Sequence, residues 1–299
     1  MVIGAPKCGT TSLFGYLSEH PDVHAPLHKE LCYFSQFKRY LQRYRQTGAS
    51  NWGLYTSSFA REPGQPMNRR GDGFRRRARG SARRRSLAVA GSKSVCERKL
   101  SYEGCPFYLG ERQAAVAVHA VFPHLRLVAL LRNPRERTVS AFNDYVRMGR
   151  IRGGNASAAG MEQLVSSKLK LLSDGRRTME DFDMRILTSG VYIHGLEAWG
   201  AAWPAEQLLV MRSEDLFAST GEAMQHIHVF LGLAPQPART WAALNRNSMR
   251  SKSRPSRWLN ETLDAFFAPF NERLYRWASA RNIDFGRWDN ATSSRLDVS

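Results

Sequence analysis

Lys7, Gly9, Thr10, Thr11 and Ser12 fall within Met1-Val-Ile-Gly-Ala-Pro-Lys-Cys-Gly-Thr-Thr-Ser-Leu13, where a short apolar strand runs into a Gly/Thr-rich turn and then a helix. Backbone N–H groups of such a turn, with the positive end of the helix dipole, converge on an anion. Lys7 adds a full charge, and the turn reads as a phosphate cradle formed by Lys7, Cys8, Gly9, Thr10, Thr11 and Ser12. It departs from the Walker pattern, which puts Lys directly after its last Gly: Lys7 precedes Gly9, and Thr10 stands in the lysine's place. The competing reading is an ordinary helix start capped by Thr10 or Ser12.

A second site separates the two readings. Leu127-Val-Ala-Leu-Leu131 is an apolar run of the kind a buried parallel strand requires, and it ends in Arg132, Asn133 and Pro134 before a helix that carries Ser140. Ligands of open α/β sheets collect at the carboxyl ends of the strands. Arg132 and Ser140 are therefore placed to grip a second phosphate, with a plain surface charge as the alternative for Arg132.

These two segments together resemble the paired phosphate-binding signatures of sulfotransferases that use 3′-phosphoadenosine 5′-phosphosulfate (PAPS), in particular the Golgi carbohydrate and heparan sulfate branch. The resemblance extends to His20-Pro21 with Lys29-Glu30-Leu-Cys-Tyr-Phe34, to Glu103-Gly-Cys-Pro-Phe-Tyr-Leu109, to Trp199 through Leu233, and to Phe266 through Tyr275 with Asp284-Phe-Gly286. It implies an α/β, P-loop-like three-layer fold with a central, mainly parallel sheet flanked by helices. It also implies PAPS as co-substrate, a glycan or glycosaminoglycan-like acceptor, and a Golgi lumenal enzyme anchored in a full-length form, or a cytoplasmic one if the chain is complete as given. Asn155-Ala-Ser, Asn260-Glu-Thr and Asn290-Ala-Thr are glycosylation sequons that suit a lumenal glycoprotein.

Sulfuryl transfer, like phosphoryl transfer, needs a base, a cation for the leaving group and donors that hold the nucleotide. The resemblance places Glu30 as the base. Partial burial against Tyr33 and Phe34 would raise its basicity, whereas a surface ion pair with Lys29 or His28 is the structural alternative. Lys7 is the cation for the bridging oxygen. Gly9 to Ser12 would donate to the 5′-phosphosulfate, and Arg132 and Ser140 would hold the 3′-phosphate. Arg250-Ser-Lys-Ser-Arg-Pro255 resembles a loop that closes over the nucleotide, with Lys252 as its contact, or is simply a solvated basic loop. Gly104 stands where heparan enzymes carry a lysine, which favours "glycan hydroxyl" over a specific heparan acceptor.

The elements that must position these groups are strands alternating with amphipathic helices along 299 residues, consistent with one sulfotransferase domain over 1–299. Lys and Arg outnumber Asp and Glu by 44 to 26, a formal charge of +18. Of this, +8 belongs to Arg69 through Arg85, inside an Arg-rich insertion at about 62–100 whose low apolar content predicts disorder. It could touch polyanions. Two other functions follow from parts of this pattern: a P-loop nucleotide or small-molecule kinase, or a catalytically inactive polyanion-binding protein acting through the Arg-rich segment. No Cys/His spacing suggests a metal. Of four cysteines, Cys8 lies in the cradle and Cys32 beside Glu30, leaving Cys96 and Cys105 as candidate disulfide partners. Tyr192 and Trp199 share a helix face: Trp199 is expected in the core, and Tyr192 either in the core or lining the acceptor cleft.

Overall fold

The computed structural model describes residues 1–26, 29–36, 55, 100–237, 241 and 255–288. Lys252, Cys96 and the Arg69–Arg85 stretch lie outside the described residues. At the centre is a parallel sheet of β1 (Val2–Gly4), β4 (Leu127–Leu131) and β5 (Leu208–Arg212), in the order β1-β4-β5. The apolar run of β4 is buried at all five positions, as expected of a strand covered on both faces. Leu127 pairs with Leu208 and Leu131 with Arg212, while Val2 pairs with Val128. On the far side of β1, Val2 exchanges backbone hydrogen bonds with Glu103 and Cys105 at 2.8 and 3.1 Å. A smaller parallel pair, β2 (Val23–His24) and β3 (Leu100–Ser101), lies apart from the main sheet.

The principal helices are α1 (Thr10–Leu17), α2 (Arg112–Val121), α3 (Pro134–Arg147), α4 (Ala158–Ser173), α5 (Arg185–Thr188), α6 (Tyr192–Ala202), α7 (Ser213–Ala218), α8 (Thr220–Leu231) and α9 (Arg257–Ser279). The expected α/β fold with a central parallel sheet and flanking helices is the one observed. Asn133 caps α3, its side chain accepting from the N–H groups of Arg135 and Glu136, and Pro134 occupies the first turn, where its missing N–H costs nothing. Trp199 is fully buried and stacks on Trp203 with centroids 5.1 Å apart, while its indole N–H donates to the Tyr108 carbonyl. This contact needs Gly195, where an added Cβ would sit 2.1 Å from the Leu109 carbonyl oxygen. In α9, Leu259, Leu263, Phe267, Leu274 and Tyr275 face the core, but Trp258 is 48% exposed: it starts the helix on the solvent side.

One expectation is corrected. Cys105 pairs with Cys32, not with Cys96, across 73 residues. The position of Cys32 beside Glu30 does not keep it from pairing, because its sulfur is directed into the core: Cys32 is 8% exposed and Cys105 is fully buried beside β1. The bridge ties the segment carrying Glu30 to the edge of the sheet.

A buried carboxylate makes the same connection. Glu103 accepts from the Tyr55 and Tyr108 hydroxyls at 2.8 and 2.6 Å and from the Cys32 backbone N–H, and Tyr108 in turn accepts from the Phe34 N–H. Burial raises the Glu103 pKa, although the two tyrosine hydrogen bonds oppose it. Glu103→Ala leaves two buried hydroxyls without their acceptor and is expected to cost about 2–4 kcal/mol, read as a lower urea midpoint. Because the folded pKa lies above the unfolded one, this carboxyl favours folding most below the ordinary carboxylate range, and that contribution is lost as pH rises through the raised folded value. Glu103→Gln should remove this component of the pH dependence.

Candidate active site

Three strand ends converge. At the end of β1 the Ala5 N–H donates to the Leu130 carbonyl, and the chain then turns through Lys7 and Gly9, both with positive φ, at 71° and 85°. An added Cβ on Gly9 would also lie 2.8 Å from the Phe217 ring of α7, so both backbone and space demand glycine. Gly9 is the N-cap of α1, and no side chain caps the helix. The capping reading for Thr10 or Ser12 is therefore not what the chain adopts. The N–H groups of Ser12 and Leu13 turn back to the Gly9 carbonyl, and the helix N-terminus ahead of them keeps its dipole for an anion.

At the end of β4, Arg132 is half-buried, with a guanidinium nitrogen 3.5 Å from the Glu136 carboxylate one turn into α3. Ser140, two turns into α3, is partly exposed. At the end of β5, the Ser213 hydroxyl donates to the Cys8 carbonyl at 2.5 Å, and the Glu214 carboxylate accepts from the Asn133 N–H at 2.9 Å and from the Trp288 indole. Tyr192, at the start of α6, donates to the Arg132 carbonyl at 2.8 Å and lies 3.5 Å from the Cys8 sulfur. Its side chain is buried in this brace between the β1 and β4 turns.

Below the cradle lies Arg137, 3% exposed, donating to the carbonyls of Pro6, Ile186 and Arg185 at 3.3, 2.7 and 3.4 Å. These described partners carry no formal negative charge, so the guanidinium pins the cradle to α5 and adds positive potential beneath it. Cys8 is fully buried, and burial pushes its thiol pKa up to about 11. The cradle can use Cys8 only through its backbone. Ser12 is likewise buried, with its hydroxyl on Tyr16.

Lys7 reaches α3: its ammonium lies 3.2 Å from Asp144, one turn beyond Ser140. Glu30 adopts positive φ and is exposed, engaged by Lys29. The expected shelter against Tyr33 and Phe34 is absent. Phe34 is drawn into the core beside Tyr108, Tyr55 and Phe122, and the kink at Glu30 and Cys32 leaves the carboxylate outside. The Lys29 ammonium stands 6.0 Å from the Phe14 ring, which sets the pair beside α1.

Thus Lys7, Gly9, Thr10 and Thr11 lie on one turn at the end of β1, and Arg132 with Ser140 borders a neighbouring strand end. Sequence reasoning missed Ser213, Glu214, Arg137 and Asp144. The four-residue spacing from Ser140 to Asp144 was a signal for the last; nothing in sequence ties Ser213 or Arg137 to the β1 turn. Among the described residues, no three His, Cys, Asp or Glu side chains gather as a metal site.

The central parallel sheet presents at its carboxyl end a glycine turn leading into an uncapped helix and a strand end that carries Arg132, the edge at which open α/β proteins place their ligands. The chain belongs to the sulfotransferase domain family, whose pattern matches residues 1–264. It is 24% identical to human carbohydrate sulfotransferase 15 over 307 aligned positions, covering 91% of this chain and 52% of that protein. It is 24% identical to a Drosophila melanogaster bifunctional heparan sulfate N-deacetylase/N-sulfotransferase, over 79% of this chain and 20% of the relative. Human heparan sulfate glucosamine 3-O-sulfotransferase 6 is 22% identical, over 96% and 72%. The chain thus spans about half the length of the first of these relatives. In fold it is similar to a sulfotransferase from Alicyclobacillus acidocaldarius, with a TM-score of 0.63 and 21% identity over 95% of both chains.

Proposed function

We propose that this chain transfers the sulfuryl group of PAPS to a hydroxyl or amine of a carbohydrate acceptor. The observation that carries the reading is the pair of adjoining anion sites, the uncapped cradle at Lys7–Thr11 and the Arg132/Ser140 position, cross-braced by Tyr192 and Ser213. A 3′-phosphorylated nucleotide needs two such sites, whereas a nucleotide without the 3′-phosphate has no use for the second. When bound, PAPS supplies a sulfuryl group on an activated phosphosulfate linkage.

Arg132 and Ser140 would hold the 3′-phosphate, and the backbone of Gly9 to Ser12, with the Thr10 and Thr11 hydroxyls, the 5′ end. Lys7 would neutralise the charge that grows on the leaving phosphate oxygen. Glu30 would take the proton from the attacking acceptor group as that group bonds to sulfur and the bridging bond breaks. Lys252, outside the described residues, would close over the nucleotide. The names of the relatives support a glycan acceptor. A lumenal Golgi location is supported by the Cys32–Cys105 bridge, which suits an oxidising compartment, and by the exposed sequon at Asn155. Among the described residues, no helix is long and apolar enough to cross a membrane.

Calorimetric titration with adenosine 3′,5′-bisphosphate, beside ATP and AMP and in EDTA, tests the reading. Selective binding of the bisphosphate is the expected outcome. Equal binding of all three would remove the second phosphate site from the reading, and a preference for ATP that appears only when magnesium replaces the EDTA would favour a nucleotide kinase.

A further inference from the structure

The Lys7–Asp144 contact has no part in the chemistry described so far. A carboxylate beside an anion cradle repels the ligand unless something neutralises it, so its presence demands a reason. Asp144 is held by its two oxygens separately: Oδ1 accepts from the Arg147 Nε and Nη2 at 3.0 and 2.6 Å, and Oδ2 faces the Lys7 ammonium at 3.2 Å. The Asp144 side chain is only 11% exposed and Lys7 27%, whereas Arg147 is 48% exposed at the end of α3. The carboxylate therefore keeps a cation when Lys7 leaves, and no buried charge is stranded.

Burial alone would push the Asp144 pKa up, but the Arg147 hydrogen bond and the Lys7 charge outweigh it and hold the pKa below the usual aspartate range. Asp144 is ionised at neutral pH and competes for Lys7 as a full charge.

We infer that Asp144 is a positioning residue that holds Lys7 until the sulfate donor binds and then yields it to the donor's 5′ anion. Donor affinity is then set by a contest between a protein carboxylate and the ligand for one ammonium, with Arg147 tuning the carboxylate's side. This rests on the proposed use of PAPS and adds to it a determinant of affinity at the transferring end.

The contest makes two variants move affinity in opposite directions. Asp144→Asn removes the competitor's charge, so adenosine 3′,5′-bisphosphate should bind about fivefold tighter, the scale of one partly buried ion pair. That gain should vanish when Lys7→Ala is added. Arg147→Gln, at an exposed position, leaves Asp144 with Lys7 as its remaining cation and should weaken binding by a similar factor. Titration calorimetry on the full chain reads both, with thermal melting alongside to confirm folding. A purely structural Asp144 predicts weaker binding or none of these shifts in Asp144→Asn. Wild-type protein that binds the bisphosphate without the opposed shifts overturns this inference alone. Wild-type protein that does not bind it overturns the donor assignment and this inference together.

Discussion

Glu30→Gln should lower kcat for sulfuryl transfer by about 10²–10⁴-fold, the usual contribution of a general base, while bisphosphate affinity stays within about twofold of wild type. The amide keeps the size and most contacts of the carboxylate but cannot accept the acceptor's proton. Little else should change. Glu30 is exposed, and its ion pair with Lys29 is of the surface kind, worth about 0–1 kcal/mol, so the variant should melt within a degree or two of wild type. Transfer of labelled sulfate from PAPS to a mixed glycan pool measures the rate. A variant that retained more than a tenth of the wild-type rate would remove Glu30 from the mechanism.

Arg132→Ala is the second large effect, and its diagnostic value lies in selectivity. A charge-assisted hydrogen bond to phosphate is worth roughly 1.5–3 kcal/mol, so bisphosphate affinity should fall about 10- to 100-fold while AMP loses no more than about twofold. Among the described residues the Arg132 guanidinium is paired with Glu136 across 3.5 Å at the surface, which leaves it available to a ligand at little cost. The backbone at this position is held independently by the Tyr192 hydroxyl on the Arg132 carbonyl and by Glu214 on the next N–H, so truncating the side chain should leave the turn in place. Equal losses for both nucleotides would mean that Arg132 does not read the 3′-phosphate. Competition titrations with the two ligands on the same preparation decide the matter.

The parts of the site that were legible in the sequence are those governed by neighbours along the chain. Gly9 is needed where the turn takes positive φ, the apolar run of β4 needs a buried parallel strand, and Asn133-Pro134 begins a helix wherever it is placed. Each is a short-range consequence of backbone sterics, strand burial or capping. Together they put Lys7 and Arg132 at adjacent strand ends. The exposure of Glu30 was not legible, because burial of a loop residue depends on which neighbour the core takes. Phe34 and Cys32 go inward, and Glu30 is left outside.

The disulfide shows the same division. Elimination by position along the chain pointed to Cys96 and Cys105, but Cys105 stands beside β1 through the hydrogen bond of its own N–H to the Val2 carbonyl, and the segment that packs there carries Cys32. Tyr192 was legible as a helical core residue, yet its hydroxyl bonds across 60 residues to Arg132. The sequence by itself determined the glycine turn after β1, the helix start at Asn133-Pro134 and the parallel sheet that presents them, because turn geometry, capping and strand patterning act within a few residues. Only the tertiary structure decided that Tyr192, Ser213 and Arg137 lock the cradle and that Asp144 faces Lys7: these contacts join residues 48 to 205 positions apart, and their pairing depends on how the whole chain packs.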